Sequence, residues 1–104
     1  MTFNDYQIEA AETAGNTSLA ILGLGLTGEA GEVADMLKKH LGHGHPLDRD
    51  KLLDELGDVL WYLALLADVN DFSLSEVASR NLHKLASRYP EGFSVERSLN
   101  RSDR

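Results

Sequence analysis

Four acidic side chains have the types and spacing to do chemistry: Glu29 and Glu32 in TGEAGE, and Glu55 and Asp58 in DELGD. Each pair is spaced i,i+3, so on a helix its two carboxylates lie on one face about one turn apart. Each pair also sits inside an apolar helical repeat, beside residues that should be buried. Carboxylates held close to a core repel one another and cost free energy to desolvate unless cations neutralise them. Four converging hard oxygen donors would suit Mg²⁺, or Mn²⁺ in its place, rather than zinc, which prefers nitrogen and sulfur. The competing reading is a solvated acidic face, the usual setting of Glu on helices.

The elements around these acids are predicted to be helices. Thr2 with Asp5 has the pattern of a capped helix start, ahead of a short helix near Tyr6 to Ala14 that Gly15 and Asn16 break. Thr17 or Ser18 is expected to cap a second helix, whose apolar positions Leu22, Leu26, Ala30, Val33, Leu37 and Leu41 step by three and four. Gly23, Gly25, Gly28 and Gly31 interrupt it, each costing about 1 kcal/mol relative to Ala; they would admit a close neighbour or mark a bend. GHGHP, Gly42 to Pro46, reads as a loop, and Asp48 or Asp50 as the cap of a third helix running to about Val69. Leu52, Leu56, Val59, Leu60, Leu63 and Leu66 form its expected buried stripe. Ser73 with Glu76 fits a capping box for a fourth helix, which Pro90 and Gly92 end. Residues 1–92 form the expected domain and 93–104 a loosely ordered tail.

A short loop between two long helices favours an antiparallel hairpin. Residues 29, 32, 55 and 58 have their midpoint at 43.5, inside the predicted loop, so folding there brings the two acidic pairs opposite each other. Basic and polar groups follow on the fourth helix: Asn81, Lys84 and Arg88 fall at i, i+3 and i+7 and share one edge, able to grip phosphates or simply to be solvated. Tyr62 lies one turn past Asp58, and Lys38 one to two turns past Glu32; both are substrate-binding candidates, although a lysine near a helix C-terminus also complements the helix dipole. Trp61 fits core or a subunit interface better than a base stack. Gln7, on the first helix, is a candidate for a base pocket. His40, His43 and His45 would need a fourth ligand and a fixed loop to hold a metal, and a flexible loop is the expectation.

Composition narrows the class. The chain has 104 residues, 17 acidic against 10 basic, and a net charge of −7, which argues against binding a nucleic-acid polymer. There is no cysteine, so thiolate chemistry and disulfides are excluded and a cytoplasmic location is expected. The longest apolar run, Val59 to Ala67, is far short of the roughly 20 residues that span a bilayer, and no signal-like segment opens the sequence. No partner membrane is therefore expected. Helices this apolar in so short a chain call for self-association, as a homodimer or homotetramer.

Three segments in order, LGLTGEAGEVADMLKKHLGHG, LLDELGDVLWYLALLA and NLHKLASRYP, together carry a resemblance. The pattern ExxE followed after a hairpin by ExxD resembles the MazG-like nucleoside triphosphate pyrophosphohydrolases of the all-α pyrophosphatase superfamily, over roughly Tyr6 to Pro90. The resemblance implies a four-helix all-α bundle with a catalytic antiparallel hairpin, assembled as an oligomer. It also implies catalytic Mg²⁺ on Glu29, Glu32, Glu55 and Asp58, and cleavage of a nucleoside triphosphate between the α and β phosphates. Within it, Glu32 and Glu55 are the catalytic carboxylates, with Glu32 accepting the proton of the attacking water. Lys38, Tyr62, Asn81, Lys84 and Arg88 are the expected substrate-binding groups. Many relatives carry another Glu directly before the first motif Glu, where this chain has Gly28. The alternatives are a phosphoribosyl-ATP pyrophosphatase, with the same core chemistry, and a helical nucleotide-binding or interaction module without turnover.

Overall fold

A computed structural model describes residues 1–101, and among these every regular element is a helix: α1 Phe3–Glu12, α2 Leu19–His43, α3 Arg49–Val69, α4 Leu74–Arg88 and α5 Val95–Leu99. The expected all-α class is observed, with a fifth, short helix in addition to the four read from sequence. The chain divides into two compact units, Met1–Leu74 and a second from Ser75 onward.

Local sequence explains where the helices start. Thr2 accepts from the Asp5 amide at 3.0 Å while the Asp5 carboxylate accepts from the Thr2 amide at 2.9 Å, a reciprocal box that holds the Asp5 carboxyl below its ordinary range. Ser18 accepts from Ile21 N–H and Asp48 from Lys51 N–H, so of the alternatives read from sequence these are the residues that cap. α2 runs on to His43, one residue past the glycine expected to open the loop, because Gly44 rather than Gly42 takes the left-handed conformation at φ 72°. Five residues, 44–48, remain as the connection between α2 and α3.

In the first unit α3 packs against both α2 and α1. Its fully buried positions are Ala64, Leu65 and Ala67 rather than the longer leucine stripe, of which Leu56 and Leu63 remain exposed. A helix with neighbours on two sides buries positions outside a single stripe, here two alanines and Leu65. Ala10 of α1, Ala64 and Leu74 form the core cluster, with Tyr6, Leu60 and Trp61 packed on it. Gln7 is buried there and uses its whole amide on backbone: Nε2 donates to Ala64 O at 3.3 Å and to Phe72 O at 3.0 Å, and Oε1 accepts from Leu74 N–H at 2.9 Å. The Trp61 indole donates to Thr13 Oγ1 at 2.8 Å, and that hydroxyl donates to Ala10 O at 2.7 Å. These bonds tie α1 and the start of α4 to the far end of α3, so that end of the hairpin is fixed.

The second unit holds the remainder of α4, the Tyr89 and Phe93 rings tilted against each other with centroids 5.2 Å apart, an isolated bridge between Pro90 and Gly92, and α5. Ser94 caps α5 by accepting from Arg97 N–H at 3.1 Å. Part of the segment read as a loose tail is thus helical, and its last three positions, 102–104, lie outside the described residues.

Candidate metal centre

The acids are positioned by the register of the hairpin. Tyr62 of α3 lies on the α2 backbone at Gly25, and 25 and 62 have the same midpoint, 43.5, as 29 and 58 or 32 and 55. The antiparallel pairing expected from the four acids is therefore the one adopted, and each rung follows the last by about one helical turn.

Glu29, Glu55 and Asp58 converge: each offers a carboxylate oxygen within 4.8 Å of the others, and among the described residues no other set of three His, Asp or Glu does so. Glu29 and Glu55 are half-buried and Asp58 is exposed. The Glu29 carboxyl is held above its ordinary range, first by desolvation, then by the Asp58 charge, by a hydrogen bond with Glu55, and by the charges of Glu55 and Glu32. Carboxylates brought this close disfavour the charged form of Glu29. An oxygen-only donor set that repels itself fits a hard divalent cation, which would relieve that repulsion.

Glu32 is the fourth expected ligand, and the structure leaves it outside the group. It is exposed, although its charge acts on both Glu29 and Lys39. Three residues on an α-helix turn by about 300°, so Glu32 is rotated some 60° from Glu29 and stands a turn nearer the loop. The convergence is asymmetric, with both acids from α3 and one from α2. Lys38 and Lys39 both turn to Asp35, at 3.5 and 2.8 Å, so Lys38 is engaged on its own helix.

Asn81, Lys84 and Arg88 are on α4, within the second unit, Asn81 and Lys84 exposed and Arg88 half-buried. The three histidines do not converge. His40 Nδ1 lies 2.8 Å from His45 O, which ties the loop back onto α2, and the His43 and His45 rings stand edge to face at 6.3 Å. Gln7 is buried, with both amide N–H groups and its carbonyl oxygen bonded to backbone, which takes its side chain out of the expected base pocket. One residue near the acids, Tyr6, was not singled out from sequence, whereas Gly25 is one of the four glycines expected to admit a close neighbour or mark a bend. Tyr6 of α1 packs on the core and stands near Asp58, with burial first and the Asp58 charge second raising its phenol above the ordinary range. Gly25 had a signal in the register: the midpoint that aligns the acids also pairs it with Tyr62.

The profile of the MazG nucleotide pyrophosphohydrolase domain matches residues 17–93. The gene 37 protein of Mycobacterium phage L5 is 43% identical, over 84% of this chain and 88% of its own length. No solved structure matches. The profile spans α2, α3 and α4 with the converging carboxylates inside it, and the chain belongs to the MazG nucleotide pyrophosphohydrolase family.

Proposed function

We propose that the chain is a Mg²⁺-dependent pyrophosphohydrolase that cleaves a nucleoside or deoxynucleoside triphosphate between the α and β phosphates, releasing the monophosphate and pyrophosphate. The observation that carries this reading is the convergence of Glu29, Glu55 and Asp58 across the hairpin. These three would hold the cation, whose contribution when bound is to neutralise phosphoryl oxygens and to make a water nucleophilic near neutral pH. Glu32, outside the three, is free of a ligand's constraint and is assigned as acceptor of the water's proton, a role that needs a solvated carboxylate within reach of the site. The Tyr62 hydroxyl, Lys38, Asn81, Lys84 and Arg88 are assigned to the phosphate chain, where cationic donors stabilise the pyrophosphate as it leaves.

The same reading makes the active form a homodimer or homotetramer acting on the free nucleotide pool in the cytoplasm. Large side chains on the hairpin support self-association: Leu24, Leu41 and Leu53 are 74%, 82% and 69% exposed in the single chain. The test is incubation of the purified protein with Mg²⁺ and each triphosphate, with pyrophosphate and orthophosphate assayed separately. Pyrophosphate as the first product is expected. Orthophosphate first would refute α,β cleavage, and no turnover on any substrate would leave a nucleotide-binding module.

A further inference from the structure

Five glycines lie within the two hairpin helices away from the loop: Gly23, Gly25, Gly28, Gly31 and Gly57. At four of them a methyl group would meet nothing within 4 Å. At Gly25 it would collide with the Tyr62 ring, two carbons of which stand well inside van der Waals contact and the hydroxyl oxygen 2.7 Å from the position a Cβ would take. Gly25 is the one whose missing side chain is occupied by the facing helix.

This contact is the rung next to Glu29 and Asp58. Gly25 precedes Glu29 by four residues and Tyr62 follows Asp58 by four, about 6 Å along each helix. A helix is stiff over one turn, so the separation set at this rung is passed to the next. We propose that the Gly25–Tyr62 contact is the spacer that fixes the α2–α3 separation at the Glu29, Glu55 and Asp58 carboxylates, and so sets their affinity and size preference for a divalent cation. The inference rests on the metal reading above. Tyr62 is here a positioning residue, through its ring, independently of any role of its hydroxyl toward substrate. The size preference follows from coordination chemistry. Mg²⁺ requires near-octahedral oxygens at about 2.0–2.1 Å, whereas Ca²⁺ accepts about 2.3–2.6 Å in flexible geometry. A methyl at Gly25 must either displace the outer end of the Tyr62 ring or part the helices, and parting them should penalise Mg²⁺ more than Ca²⁺.

The experiment is calorimetric titration of the purified full chain with MgCl₂ and with CaCl₂, alongside far-UV circular dichroism and Mn²⁺ binding followed by electron paramagnetic resonance. Gly25→Ala is expected to weaken Mg²⁺ and Mn²⁺ by about tenfold or more and Ca²⁺ by clearly less. Gly25→Ala with Tyr62→Leu, which gives the methyl room, should recover most of that loss. Tyr62→Phe keeps the ring and should bind the cations as the unaltered chain does, whereas Gly23→Ala should leave binding unchanged. Unchanged Mg²⁺ affinity in Gly25→Ala with helicity retained would overturn the spacer and leave the metal site standing. So would a double variant as weak as the single one, or equal losses for Mg²⁺ and Ca²⁺. Should Gly25→Ala fail to fold, Tyr62→Leu alone decides: loss of the ring should change Mg²⁺ affinity severalfold with helicity retained, and unchanged affinity would overturn the spacer. So would a tenfold loss in Tyr62→Phe, which would place the effect in the hydroxyl. Absence of cation binding by the unaltered chain would overturn both readings.

Discussion

The two ends of the α2–α3 hairpin are held by different kinds of interaction. At the open end, bonds between residues far apart in sequence tie α1 to α3, to Phe72 and to the first residue of α4, those of Gln7 spanning 57 to 67 positions, and Trp61 of α3 bonds Thr13 at the end of α1 across 48. At the loop end every specific bond is local: Asp35 with Lys38 and Lys39, His40 with His45, Asp48 with Lys51. The carboxylates sit between. Glu29, Glu55 and Asp58 converge toward the fixed end, while Glu32, a turn nearer the loop, stays in solvent. A self-repelling cluster needs a rigid frame on at least one side, and here α1 and the Tyr62 rung supply it. The loop end is left free to change without disturbing the acids.

The largest expected effect comes from the acids themselves. Glu55→Gln keeps the shape and removes the charge from the centre of the group. Since losing even an outer-shell partner of a metal ligand costs about 10- to 100-fold, turnover should fall by at least about 100-fold with helicity intact. Full activity in this variant, assayed as pyrophosphate release, would take Glu55 out of the site.

Gln7→Ala tests the fixed end. It removes three bonds, those with Ala64 O and Leu74 N–H buried and that with Phe72 O part-buried, and leaves the Leu74 N–H unsatisfied, at about 1–3 kcal/mol for that group alone. A loss of about 3 kcal/mol, read as a fall in Tm on the order of 10–20 °C, is expected. A fall of only a degree or two would mean that α1 is not what braces the hairpin.

How much of this was legible in the sequence follows the same division. The acids, the helices and the register could be read, because i,i+3 and i,i+4 spacings are local and the antiparallel midpoint needs only positions. The cap pairs Thr2 with Asp5 and Asp48 with Lys51 N–H are likewise local. The Gln7 clamp could not be read, since a single amide bonding to backbone some 60 residues away leaves no spacing signature. Nor could the exclusion of Glu32: i,i+3 places two acids on one broad face, and the same spacing brings both Glu55 and Asp58 into the group but only Glu29 of the first pair. The buried sector of α3 was misjudged for a related reason. A leucine stripe marks one partner, whereas α3 has two, and the buried positions are Ala64, Leu65 and Ala67, none of which is in that stripe.

Acidity offers a third test of the metal-free cluster. The Glu29 pKa is raised above 4.5 in the fold, so the folded state holds its proton more tightly than the unfolded one. That contribution to stability is present below the unfolded pKa and is lost as pH rises through the folded value. Mg²⁺ competes for the same oxygens and should recover it, so the rise in Tm on adding MgCl₂ should be larger near pH 7.5 than near pH 5. A Mg²⁺ effect independent of pH would mean that the cation and the Glu29 proton do not share a site.

The smallest effect is expected at the loop. His40→Ala removes the bond to His45 O, an exposed contact whose loss water can make good, so stability should change by less than about 0.5 kcal/mol. The left-handed Gly44 and the bond from His45 N–H to Lys39 O would still close the turn. Cation affinity should also be unchanged, since His40 is eleven residues, about three turns, beyond Glu29 and the helix between them is continuous. If His40→Ala instead lowered Mg²⁺ affinity as Gly25→Ala is expected to, the loop end would be holding the acids too, and the contrast between the two ends of the hairpin would fail at its weakest bond.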